Sequence, residues 1–314
     1  MIFKNCNLLN VRTGELVLTD IQTNGDKIEK IGKIAGDGID LGGKIVMPGF
    51  ANCYLNYERA SLNSYEKIVD NKELQAKNAC AGVCFDYFDM KNVSFLENIE
   101  KLSESEFEKA CMSLKERVFV KIGQNLNEMG EINAIYKKMP SEVLEDFGVL
   151  DKKATIVGGN CFEKDELEIF SGYGTSFVLL PNDDARSGRR FININILNRL
   201  NIPFGLGSGE YAEVDFFAFM RQLLSFNSFV MENSSLMREQ EIILHATLIG
   251  AEILGFDGEI KEKNYANFIV LSGKTNYDDI FKSIVYGMSK QNVFMTVKNG
   301  KILQQNGVFA MENR

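Results

Sequence analysis

Histidine is almost absent: one residue, His245, in a chain of 314. Imidazole is the commonest metal ligand and the usual general base near neutral pH. A hydrolytic site built on several imidazoles cannot be assembled from one, and no partner for a lone His245 base is visible. It lies in "REQEIILHATLIGAEILGF", where apolar residues recur at helical spacing and stop at Gly255. The expectation is a partly buried helix histidine. Basic runs are also missing. Net charge is −8, and nucleic-acid affinity rests on neutralising phosphates, so no nucleic-acid partner is expected. No apolar run approaches the ~20 residues that cross a bilayer. "MIFKNCNLLNVRTGELVLTD" alternates like a strand and lacks the h-region and cleavage site of a signal peptide. The expected location is therefore cytoplasmic, with no membrane partner. Six scattered cysteines then read as reduced, small hydrophobes. Cys80-x-x-x-Cys84 is the one close pair, and no second pair completes a zinc site.

What is present falls into two styles. Residues 1–50 are short strands, "IFKNCNLLNV", "ELVLTDIQTNG", "DKIEKIGKI" and "GIDLGGKIVMPGF", divided by Gly/Asn/Asp turns. The C-terminal stretch repeats that style, with Lys298-Asn299-Gly300-Lys301 as a hairpin turn between alternating strands. These two ends predict one small β-sandwich domain, residues 1–50 with 262–314. Between them, over 51–261, strands such as "GVCFDYFDM", "RVFVKIGQN", "KATIVGGN", "TSFVLLPND" and "IPFGLGSGE" alternate with helical segments. "SFLENIEKL" reads as a helix, and a long helical tract is expected from Asp215 to Gly255. Alternation at this spacing predicts βα units and a parallel sheet or barrel.

Several passages in the correct order carry a resemblance: "DLGGKIVMPGFANCYLN", then "VLEDFGVLDKKATIVGGNCFEKDELEIFSGYGTSFVLLPND", "LNIPFGLGSGE", "HATLIGAEILGF" and "GEIKEKNYANFIVLS". Together they resemble the amidohydrolase superfamily, nearest its chlorohydrolase branch with guanine deaminase and S-adenosylhomocysteine deaminase. The resemblance implies an α/β fold, a TIM-like (β/α) barrel with a β-sandwich built from both termini. The stretch from Ala51 to Lys261 is shorter than the ~250 residues of a typical barrel. A shortened or incomplete barrel is expected, with the deficit between Asp86 and Arg117.

That family hydrolyses with a zinc or iron that lowers the pKa of bound water, and with a carboxylate that shuttles the proton. Its first His-x-His pair corresponds to Tyr54-x-Asn56, and its HxxE motif to Lys121-Ile122-Gly123-Gln124. A further histidine corresponds to Gly159, and the last aspartate to Gly209, with Glu210 beside it. Neutral tyrosine and an amide are poor zinc ligands, a lysine is a cation, and glutamine cannot shuttle protons. The implied catalytic set is therefore none, with no metal and no cofactor. Tyr54, Asn56, Asp86, Lys121, Gln124, Asn160 and Glu210 are expected to line a degenerate pocket able to hydrogen-bond a small polar or purine-like ligand. An oxygen-rich Mg²⁺ or Mn²⁺ site is the alternative metal, from Cys53, Asp86, Cys161, Glu163, Glu210 and Asp215 near strand ends. A Ser/Cys nucleophile lacks its histidine base, and "GLGSGE" lacks the spacing and lysine of a phosphate loop.

Whether the chain is an enzyme stays open at this point. One reading is a non-catalytic relative that binds a small molecule or a protein partner. The other is a residual or divergent hydrolase of C–N bonds with an altered or absent metal. The tract "FFAFMRQLLSFNSFVMENSSLM", with Phe216, Phe217, Phe219, Phe226 and Phe229, reads as barrel-wrapping core or as a homodimer interface.

Overall fold

The computed structural model describes residues 1–56, 71–210, 214–273 and 277–310. Both ends of the chain meet in one nine-stranded sheet. The seam between them is Ile45–Pro48 paired antiparallel with Phe268–Leu271, Met47 opposite Ile269. On one side of this pair follow Ile2–Leu9, Leu16–Asn24 and Lys27–Gly32; on the other follow Val293–Lys298, Lys301–Gln305 and Val308–Phe309. Side chains alternate across a strand. Here Phe268, Val270 and Val46 enter the sheet's own core, while Ile269, Leu271, Ile45 and Met47 join the main core on the opposite face. Burial on both faces explains why "IVMP" and "FIVL" are continuously apolar instead of alternating. In the terminal hairpin Asn299 and Gly300 both have positive φ, 49° and 71°, as a two-residue primed turn demands.

A second sheet has seven parallel strands, in the order Val83–Asp86, Phe50–Asn52, Phe204–Leu206, Ser176–Leu179, Lys153–Gly158, Arg117–Ile122 and Val93–Leu96. The two edge strands, Val83–Asp86 and Val93–Leu96, are neighbours in sequence, joined by the 3₁₀ turn Tyr87–Asp89. Seven strands ~4.8 Å apart would lie about 29 Å across if flat, beyond the ~25 Å reach of that short connection. The sheet is therefore curled into a barrel. Tyr54, just beyond Phe50–Asn52, stacks on Phe95 of the far edge at 5.5 Å and 15°. Among the described strands no ladder joins the two edges, which leaves the barrel shortened and open at one seam.

Two expectations need correction. "SFLENIEKL" begins as the strand Val93–Leu96 and contains only the single 3₁₀ turn Ile99–Lys101. Its apolar residues do have helical spacing, but the parallel ladder to Arg117–Val120 outweighs that local preference. The tract from Asp215 to Gly255 is interrupted. The helix Phe216–Met231 stops at Glu232, in left-handed backbone at φ 49°. Glu239–Leu244 then runs into a π turn, His245–Ile249. Phe216, Phe217 and Phe219 are buried, and Phe50 stacks on Phe216 at 5.1 Å, but Phe229 is 84% exposed. No helix among the described residues is long and apolar enough to cross a membrane.

Candidate functional site

The C-terminal ends of the parallel strands form the barrel mouth, where this architecture carries its chemistry. Lys121, next to last in Arg117–Ile122, reaches inward and donates to the Glu210 carboxylate. The two side chains are only 9% and 11% exposed. Glu210 is held by its own backbone as well: its N–H donates to Asp183 Oδ2 at 2.7 Å. Asp183 lies in the first turn of the helix Pro181–Ser187, immediately after Ser176–Leu179. Burial pushes its carboxyl up to about 7; the Glu210 N–H opposes this and the Glu210 charge adds to it.

Gly209 explains why this group fits. Its φ is +70°, and a Cβ there would stand 2.1 Å from Asp183 Oδ2. The Asp183 carboxylate thus occupies the space that a side chain at position 209 would need. Position 159 is similar. Gly159 has φ +73°, and a Cβ would meet the rings of Phe177 at 2.7 Å and Phe162 at 3.1 Å. Phe162 also closes over Gly123, where a Cβ would come within 2.8 Å. Aromatic carbon therefore fills the mouth on that side.

The loops after the first and last barrel strands are pinned together. Asn52 Nδ2 donates to Ser208 Oγ at 2.8 Å, Ser208 N to Asn52 Oδ1 at 3.0 Å, Gly209 N to Tyr54 O at 3.0 Å and Asn56 N to Gly209 O at 2.8 Å. Tyr54 is buried, which raises its phenol above the ordinary range, with the Asn56 amide offsetting part of the effect. Gln124 Nε2 reaches Val157 O at 3.5 Å, and Asn160 Nδ2 donates to Arg190 O at 2.9 Å. Asp184 sits beside Asn160, with Arg189 Nη1 at 3.5 Å from its Oδ1, and burial pushes its carboxyl up to about 6.

The sequence-expected pocket residues divide in two. Lys121, Gln124, Asn160 and Glu210 are buried in the filled mouth. Tyr54, Asn56 and Asp86 instead line a cavity of about 730 Å³ at the open seam. There Asp86 accepts from Asn78 Nδ2 and from Phe88 N, the latter at 3.0 Å. Burial pushes the Asp86 carboxyl up to about 6. Asp183 and Asp184 escaped sequence reasoning, which read Asp183 only as the end of a strand; two adjacent carboxylates in the turn after a barrel strand were the available signal.

The Amidohydrolase family matches residues 128–303, over half of the chain. The chain belongs to the amidohydrolase family. It is 22% identical over 200 residues to the 5-methylthioadenosine/S-adenosylhomocysteine deaminase of Bacillus cytotoxicus, a match that takes in 60% of this chain and 46% of that protein. The chain thus spans about half the length of the curated relatives it matches. Among solved structures, an adenosine deaminase from Xanthomonas campestris with bound zinc superposes with a TM-score of 0.81, at 12% identity, over 99% of this chain and 94% of the other. E. coli guanine deaminase superposes with a TM-score of 0.76, at 12% identity, over 97% and 98%. At such identities the likeness is one of fold.

Against that family background, the described residues of the barrel mouth do not fit a catalytic zinc or iron. Such a metal needs imidazole, thiolate or carboxylate donors converging on one point. Of the positions that the sequence resemblance matches to ligands, one holds a paired lysine, two hold glycine, and one, at the seam, holds a buried phenol. The single histidine is elsewhere: His245 stacks on Phe204, its Nδ1 donates to Phe204 O at 2.7 Å, and burial lowers its pKa to about 4. Among the described residues no three His, Cys, Asp or Glu side chains are grouped to hold a metal ion. Of the residues named for the oxygen-rich alternative, Cys53 is buried with its thiol turned to the carbonyls of Ala51 and Gly250.

Proposed function

We infer that this amidohydrolase-family chain is non-catalytic and binds a small molecule or a protein partner without turning it over. The observation that supports the reading is the Lys121–Glu210 pair. An internal ammonium stands at a position that resembles a metal-ligand position of the family, and its charge is balanced by a carboxylate of the same chain. The direct test is ammonia release from 5-methylthioadenosine, S-adenosylhomocysteine and guanine, with and without added zinc or iron. Release at the buffer rate is expected. Turnover that disappears in Asp183→Asn would overturn the reading.

That outcome would favour a second reading, a residual or divergent hydrolase acting on C–N bonds. One observation favours it: the Asp183 carboxyl titrates at about 7. A group there can accept and return a proton near neutrality. Its hydrogen-bond donor is a backbone N–H and its neighbouring charges are Glu210, Arg189 and Asp184. None of these is a hydroxyl or thiol that it could activate, so the binding reading stands first.

A further inference from the structure

We propose that the seam cavity between Val83–Asp86 and Val93–Leu96 is a binding site for a flat ring carrying a protonated amine or amidine. The proposal rests on the binding reading above, and deepens it by naming a ligand class. It concerns a different place in the fold, since neither Lys121 nor Glu210 lines the cavity.

Three independent features converge. The walls are aromatic: Tyr54 stacks on Phe95 at 5.5 Å, and Tyr87 stands edge-on to both, at 6.0 Å from Tyr54 and 6.3 Å from Phe95. Flat rings stack on such faces, and a cation is drawn to them. The charge is negative. Asp86, Asp89 and Glu97 line the cavity with one cation, Lys298, which is taken by Asp89 at 2.5 Å. Glu97 makes no ion pair among the described residues, and its charge raises the pKa values of Tyr54 and Tyr87. Finally, a hydrogen-bond acceptor waits. Asn78 is 8% exposed and donates its Nδ2 to Asp86, but its Oδ1 has no partner among the described residues. A buried acceptor without a donor is destabilising, and an N–H of the ligand would satisfy it. A quaternary ammonium has no N–H to give, and an anion meets two carboxylates. The cavity lies at the seam that no ladder of the described strands bridges.

The test is titration of the full chain by calorimetry with three probes that share a ring: benzamidine, benzyltrimethylammonium and benzyl alcohol. Benzamidine should bind about tenfold more tightly than benzyl alcohol, with benzyltrimethylammonium weaker than benzamidine. Glu97→Gln, a partly exposed and conservative change, should weaken benzamidine about tenfold and leave the unfolding temperature unchanged. Benzyl alcohol binding as tightly as benzamidine, or an unaltered benzamidine affinity in Glu97→Gln, would overturn the proposal. Ammonia release from the deaminase substrates would sink only the non-catalytic reading, so the two failures are distinguishable.

Discussion

Replacing Lys121 by methionine keeps the length of the side chain and removes its charge. Lys121 and Glu210 are both about nine-tenths enclosed, so the glutamate left behind stays out of water and has lost the ammonium that balances it. Removing one partner of a buried pair costs about 3–5 kcal/mol, several times the value of an exposed pair. At about 2–4 °C per kcal/mol for a chain of this order, the unfolding temperature should fall by roughly 6–20 °C. Glu210→Gln should lose a similar amount. The double variant Lys121→Met/Glu210→Gln removes both charges of the pair and should recover about 2 kcal/mol or more of the summed loss. Urea unfolding followed by circular dichroism measures all four corners of this cycle. A Lys121→Met variant within about 1 kcal/mol of the parent, or a coupling near zero, would refute the reasoning that an enclosed ion pair organises the barrel mouth.

Gly209→Ala should destabilise by about 3 kcal/mol in the same assay, because the left-handed backbone is strained and Asp183 must swing away from the Glu210 N–H. A loss under about 1 kcal/mol would show that position 209 tolerates a side chain. Asp183→Asn should alter the pH dependence of stability. The folded-state pKa of Asp183 is raised to about 7 from 3.8, so between those values the folded chain binds more protons than the unfolded one. This group therefore disfavours folding most above pH 7, and that penalty shrinks steadily as pH falls from 7 towards 3.8. Relative to Asp183→Asn, the parent should gain about 2 kcal/mol or more of stability between pH 8 and pH 5. A constant difference across that range would contradict the assignment.

The sequence made the architecture readable where local and tertiary demands agree. The continuous apolar strand at Ile45-Val46-Met47 and the Asn299-Gly300 turn say the same thing at both levels. It was silent where they conflict. Val93–Leu96 has only one buried residue, Leu96, and no strand-like alternation; its register comes from Arg117–Val120, a partner over twenty residues away. The seam cavity was illegible for the same reason, since it is defined by a ladder that the described strands do not make. At the mouth, Lys121 and Glu210 could be named from the sequence as occupants of ligand-like positions. That they join in an ion pair, and that Asp183 fills the space above Gly209, depends on three separate strands converging.

The most direct test of the central claim is the metal content of the purified, untagged protein, by mass spectrometry after growth with zinc, iron and manganese supplied. The account predicts metal far below one ion per chain, with the Lys121–Glu210 pair where a family ligand would stand. About one ion per chain, retained through dialysis against a chelator, would contradict it.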